Sequence, residues 1–228
     1  MKKKSYKIYI VLFSIALVYY ILKFSGALVL STISSSSSEP TIKKGSYILT
    51  TSLKTPKRGD LITFTFNDRL SHDLPYQDFN YIFRLCGVEN DTIEIKKGVL
   101  YVNGENFDKQ FELKHSYLLS QAQLGKLNDS YSDKIKLNKD TFMVFMKDSD
   151  ANLNALGKYK YIEKKNHVDD LVKENYQQNW NKDYFGPLLI PEGKIFVLGN
   201  NRDNARDSRY IGLIDATAIT GVYWKTLF

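Results

Sequence analysis

Fifteen consecutive residues, Ile8 to Leu22, carry no charge and are bounded by Lys7 and Lys23, and no other feature restricts the fold of this chain as strongly. A run this apolar has to be buried, in a protein core or in a bilayer. At about 1.5 Å rise per residue it is short for a hydrocarbon core about 30 Å thick. Lysines at both ends can snorkel to the headgroups, and the mainly apolar stretch from Phe24 to Leu30 can extend the run. A basic start, a short apolar stretch and small residues at Ser25 and Ala27 also fit a cleavable secretory signal. Lys23 interrupts the usual approach to a cleavage site, so residues 1–33 read as a membrane anchor in preference to a signal. Lys2, Lys3, Lys4 and Lys7 place the N-terminus in the cytoplasm and the remainder outside it. Of the net charge of +7, those four lysines supply +4, and the +3 left over is too small to call for a nucleic-acid partner.

Beyond the anchor the texture is that of strands. Residues 34–38 are five serines, by composition a flexible linker, but Glu39-Pro40-Thr41-Ile42 follows and leads into Tyr47 to Leu53, which reads as a strand. Leu61, Ile62, Phe64 and Phe66 predict a second strand, residues 81–85 a third, and residues 91–105 a hairpin turning at Lys97-Gly98. Residues 106–185 are more polar, with one apolar strand over 141–146 and a helix around Asn166 to Gln178, and read as an inserted cap. Strand patterns return over 186–200, 211–214 and 218–228. The expectation is a mainly β, mixed architecture with a few helices: an anchor over 1–33, a β domain in two parts, 34–105 and 186–228, and the cap over 106–185 between them. A lone cysteine, Cys86, cannot form an intramolecular disulfide; with apolar neighbours it reads as a small buried side chain. No Cys/His cluster has ligand spacing, so neither metal nor cofactor is expected.

Four segments, in order, resemble the bacterial type I signal peptidase family, membrane-anchored serine proteases that remove signal peptides from exported proteins. They are SSEPTI at 37–42, GDLITF at 59–64, YIFRLCGVENDTIEIKKGVLYVNG at 81–104 and GNNRDNARDSRYIGLI at 199–214. With the anchor they span nearly the whole chain. The resemblance implies a signal-peptidase-like antiparallel β domain and an N-terminal transmembrane helix. The implied location is the bacterial inner (cytoplasmic) membrane, single-pass, with an extracytoplasmic domain. Its partners would be exported preproteins or their signal peptides, and the lipid bilayer.

The family uses a serine in Ser-Met-x-Pro-Thr as nucleophile and a lysine, opening a Lys-Arg pair, as general base. A lysine can take a serine proton only where a dry pocket depresses its pKa and a neighbouring hydroxyl holds the amine in line. Carried over position by position, the nucleophile falls on Ser37, with Ser38 in place of methionine and Pro40 and Thr41 matching. The oxyanion hole falls on the Ser35 hydroxyl and the Ser37 backbone N–H. The base position is Phe83, followed by the expected Arg84, and the position that orients the base is Ala205. Asn201, Arg202, Asp203, Asn204, Asp207, Ser208 and Arg209 match the family's last loop, where adjacent opposite charges read as internal bracing rather than substrate contacts.

A base and its orienting hydroxyl lost together imply a site refilled with apolar atoms, and thus a signal peptidase relative that engages signal peptides with Ser-Lys catalysis impaired, a pseudoenzyme. The alternative is an active endopeptidase in which Ser37 works with another base, specialised for a secretion or conjugation system. His72 with Asp73, His115, His167, Lys43, Lys44 and Lys194 are the residues to examine for that role.

Overall fold

The computed structural model describes residues 5–68, 75–125, 127 and 134–228. A helix, α1 (Ser5–Phe24), comes first. In chain order the strands of the first half are β1 (Val29–Thr32), β2 (Tyr47–Thr51), β3 (Leu61–Asp68), β4 (Gln77–Gly87), β5 (Thr92–Lys96), β6 (Val99–Val102) and β7 (Glu105–Asn106). There follow β8 (Lys114–Ser120), α2 (Gln121–Leu124), β9 (Lys134–Lys136), β10 (Thr141–Lys147), α3 (Asp148–Leu153) and α4 (Asp170–Tyr176). The chain then returns through β11 (Tyr184–Leu189), β12 (Lys194–Leu198), α5 (Ser208–Ile211), β13 (Ile214–Asp215) and β14 (Ile219–Thr226).

These strands build three sheets, all of whose strand pairs are antiparallel. The largest runs β1-β2-β14-β3-β4-β12-β13, a second β11-β5-β6-β7, and a third, the cap sheet, β8-β10-β9. The mainly β reading of the sequence therefore holds. Strand β4 forms where aromatic and β-branched residues are buried on both faces. Phe83 and Leu85 face a cluster with Ile62, Phe64, Val197 and Val222, whereas Ile82 faces Ile33, Ile42, Ile48 and Leu61. Cross-strand register sets Phe83 opposite Ile62 on β3, and Leu85 opposite Val197 on β12.

Several local expectations change. Residues 29–32 pair with β2 as a strand, so the stretch from Phe24 to Leu30 does not lengthen α1. The backbone bends at Ser25 and Gly26, where Gly26 takes φ +70°, a conformation glycine adopts without penalty. The helix expected over 166–178 is confined to Asp170–Tyr176, because the Asp169 carboxylate caps it by accepting from the N–H groups of Leu171 and Val172. At 211–214 the expected strand is mostly absent: Ile211 ends α5, which Asp207 caps, and only Ile214 joins β13. The polar strands β8 and β9 were not legible, since Lys114–Ser120 lacks a regular apolar alternation.

Helix α1 presents apolar side chains on every face. From Tyr6 to Ile21 they are 40–69% exposed. Counted over the described residues, no helix is long and apolar enough to cross a membrane.

Phe64, fully buried and packed against both the Tyr81 and Phe83 rings, holds β3 against β4. Phe64→Ala is expected to cost about 3–5 kcal/mol of stability, the usual range for emptying a core aromatic site. Urea denaturation of the folded domain measures it.

Candidate active site

The serine run is built into the domain. The hydroxyls of Ser35 and Ser37 meet at 2.9 Å. The Ser36 carbonyl accepts from the Glu39 N–H at 3.1 Å and from the Asn201 side-chain amide at 3.2 Å. Asn204 donates to the Ser36 hydroxyl at 3.0 Å, and the Asn201 N–H donates to the Ser37 carbonyl at 2.9 Å. Ser38 is buried and donates to the Ile82 carbonyl at 2.7 Å, fixing the loop to β4. Farther along, the Thr41 hydroxyl accepts from Asn200 at 2.6 Å, and the Glu39 carboxylate pairs with Lys114 of the cap sheet at 2.7 Å. Within the run that read as a linker, Ser36, Ser37 and Ser38 are thus held by distant segments. That signal is long-range and absent from local composition.

Phe83 is 1% exposed and lies in a stack of rings, 5.5 Å from Tyr81 with planes 21° apart and 6.1 Å from Phe64. Gly199 shows how near this stack is to the serines. A Cβ on Gly199 would lie 2.3 Å from the Ala205 Cβ, 2.8 Å from the Ser37 carbonyl oxygen and 3.5 Å from Cε1 of the Phe83 ring. Ser37, Phe83 and Ala205 therefore converge on one point, and only a residue without a side chain fits there. The Ser37 hydroxyl is engaged with Ser35; among the described residues no lysine or histidine nitrogen is hydrogen-bonded to it.

The following loop is charged, and its residues 201, 202 and 207–209 are buried while Asn204 is exposed. Arg202 reaches Asp108 with both terminal nitrogens of its guanidinium, one at 2.7 Å. Arg209 grips Asp207 through Nε and Nη2, each at 2.8 Å, while Asp207 also accepts from the Gly199 N–H at 3.0 Å. The Ser208 hydroxyl oxygen accepts the Val197 N–H of β12 at 3.0 Å. Asp203 takes the Lys182 ammonium at 2.6 Å and both the N–H and hydroxyl of Ser116 at 2.8 Å. Burial alone would raise the Asp203 carboxyl, but the Lys182 ammonium outweighs it and holds the group at about 2. Arg206 pairs with Asp68, which also accepts from the Tyr81 hydroxyl at 2.9 Å. Arg84 of β4 donates to the Asn200 side chain at 2.9 Å and the Gly59 carbonyl at 2.6 Å. Asp68, Tyr81, Asp108, Lys114 and Lys182 escaped the sequence reading, since each reaches the site from a distant segment.

The other bases weighed from the sequence lie elsewhere or in other partnerships. His115 is buried in the cap, with Nδ1 at 2.9 Å from Asp148, and desolvation lowers its pKa. His167 is exposed on a loop, and Lys194 pairs with Asp215. His72 and Asp73 lie outside the described residues. Burial pushes the Cys86 thiol up to about 12, which keeps it protonated at neutral pH.

The model of the signal peptidase family, peptidase S26, matches residues 6–225. This chain belongs to the type I signal peptidase family. Among its relatives, signal peptidase I of Aquifex aeolicus (strain VF5) is 30% identical over 205 residues, covering 83% of this chain and 72% of that protein. Signal peptidase I P of Bacillus subtilis subsp. natto is 28% identical over 168 residues, 73% of this chain and 56% of its own length. Signal peptidase IB of Staphylococcus aureus (strain Mu50) is 28% identical over 214 residues, 91% of this chain and 83% of that one. Within this signal peptidase relative the serine loop, Phe83 and the 199–209 loop form one assembly.

Lys182 lies between the buried carboxylates of Asp183 and Asp203, at 2.7 and 2.6 Å. Lys182→Met is expected to destabilise the domain by about 3–5 kcal/mol at pH 7, because it strands buried charge. In the native protein, Asp203 titrates below its unfolded value, so its contribution is complete above about pH 4 and is lost as pH falls through about 2. Without the ammonium, burial raises that carboxyl. The cost of the substitution should therefore shrink between pH 7 and pH 4, as followed by urea denaturation at both.

Proposed function

We propose that this chain engages the signal peptides of exported preproteins beside Ser37, and that Ser-Lys peptide hydrolysis there is impaired. In this reading Ser37 holds the nucleophile position, and the Ser35 hydroxyl with the Ser37 N–H forms the oxyanion hole. Phe83 and Ala205 stand where a lysine and its orienting hydroxyl are needed. The observation that carries it is the convergence of the Phe83 ring, the Ala205 methyl and the Ser37 carbonyl around Gly199. A phenyl ring accepts no proton, and a dry pocket filled with hydrocarbon leaves no polar atom unsatisfied there, whereas an unpaired amine or hydroxyl would cost about 1–3 kcal/mol. The loop from Asn201 to Arg209 braces the serines rather than contacting substrate, in keeping with its paired charges.

The chain is held at the membrane by α1. Its uncharged run makes roughly 22 Å of helix, less than the thickness of the hydrocarbon core, so a crossing relies on lysines at either end snorkelling to the interface. Apolar side chains exposed around the whole helix support burial in lipid. The lysine excess before the run orients the N-terminus toward the cytoplasm and the β domain outward.

Three proteins test the reading in detergent with a preprotein substrate: the native chain, Ser37→Ala, and the double variant Phe83→Lys with Ala205→Ser. Cleavage is expected to be at least 100-fold faster in the double variant than in the native chain, in line with the contribution of a general base. Binding of a labelled signal peptide should be similar for the native chain and Ser37→Ala. Native cleavage at an ordinary peptidase rate that Ser37→Ala abolishes would instead establish an active endopeptidase with another base.

A further inference from the structure

A cleft of about 820 Å³ lies between the serine loop and the cap sheet, a size typical of ligand sites. At one end it is bounded by Ser36 and Asn204, which hydrogen-bond to each other next to Ser37. Five lysines line it: Lys43, Lys44, Lys114, Lys134 and Lys147. They come from the serine loop, β8, β9 and β10, so no single basic run accounts for their meeting. The lining carboxylates are two, Glu39 and Asp150, and Glu39 is already paired with Lys114. That leaves four exposed ammonium groups facing Asp150, and among the described residues none of the four makes an ion pair. Among them Ile135, half-exposed, offers an apolar patch, with Phe145 and Met146 buried beneath. A groove that combines several unneutralised cations with apolar patches favours an acidic ligand that also carries apolar side chains.

We propose that this cleft receives an acidic segment of polypeptide, continuous with the chain that lies across Ser37. The cleft's charge sets the acidity of that segment. Its identity as part of an exported preprotein rests on the function proposed above. The contiguity of the cleft with Ser36 favours a polypeptide over a free anion, since whatever fills the cleft abuts whatever occupies the serine loop.

The test is equilibrium binding to the full chain in neutral detergent, read by fluorescence anisotropy. One labelled peptide alternates Glu or Asp with apolar residues and contains no signal sequence; its control carries Gln and Asn in place of the acids. The acidic peptide is expected to bind at least tenfold more tightly at low ionic strength, with the difference shrinking in molar salt, where the Debye length is about 3 Å. Lys43→Glu with Lys44→Glu, and separately Lys134→Glu with Lys147→Glu, should each bring the acidic peptide to the level of its control. Lys→Gln counterparts should have smaller effects, and circular dichroism should show all variants folded. Equal binding of the two peptides, or folded variants that bind as the native chain does, would overturn the proposal. Displacement of the peptide by dihexanoyl phosphatidylglycerol at lower concentration than by unlabelled peptide would also overturn it, assigning the cleft to a lipid headgroup. A signal peptide that fails to bind, beside an acidic peptide that binds as expected, would sink the proposed function and leave the lysine-lined cleft standing as a site for acidic polypeptide.

Discussion

The geometry around Ser37 depends on the pairing of two buried arginines that follow β12, Arg202 in the loop and Arg209 in α5. Arg202 with Asp108, and Arg209 with Asp207, take charge out of water, where each ion is tolerated only when its partner and hydrogen bonds are in place. Both guanidinium groups are 2–3% exposed. Asp207 receives the Gly199 N–H, and Arg202 donates from Nε to the Gly199 carbonyl, so the ion pairs fix the glycine around which Ser37, Phe83 and Ala205 meet. Asn201, one residue before Arg202, then holds the Ser36 and Ser37 carbonyls. Ser36, Ser37 and Ser38 are each positioned from a distant segment.

Against this polar frame the chemistry of the neighbouring pocket is one-sided. The ring stack of Phe64, Tyr81 and Phe83 packs on one side of Gly199, and the Ala205 methyl closes it. Polar groups return at the outer end, where the Tyr81 hydroxyl meets Asp68 and Arg206. The frame that positions Ser37 and the filling beside it are separable: ion pairs and backbone hydrogen bonds support the first, apolar packing the second. A residue such as Phe83 can therefore change the chemistry of the pocket while the loop around Ser37 stays organised.

What the sequence disclosed follows the same division. Strands such as β3 and β4 were legible because Ile62, Phe64, Phe83 and Leu85 recur with the period of a pleated strand. The hairpin at Lys97-Gly98 was legible because both residues take positive φ in a tight turn. Strand β8 was not, since the residues that fix it, Lys114 with Glu39 and Ser116 with Asp203, are joined by polar contacts across 75 and 87 residues. Ile211 belongs to α5 because Asp207, four residues earlier, caps a helix there; hydrophobicity alone could not choose between strand and turn. Ser37, Phe83 and Ala205 were named from motif positions, but their meeting at Gly199 is a property of folded backbone.

The placement of β14 carries a consequence for how such a domain matures. Ile219–Thr226 lies between β2 and β3, whose residues precede it by more than 150 positions. Until it arrives, those two strands have a gap where their shared neighbour belongs, and the long separation makes closure slow in entropic terms. A nascent chain emerging amino end first would carry its serine segment for most of synthesis on an unfinished scaffold, so assembly around Ser37 is a late event rather than a seed of folding.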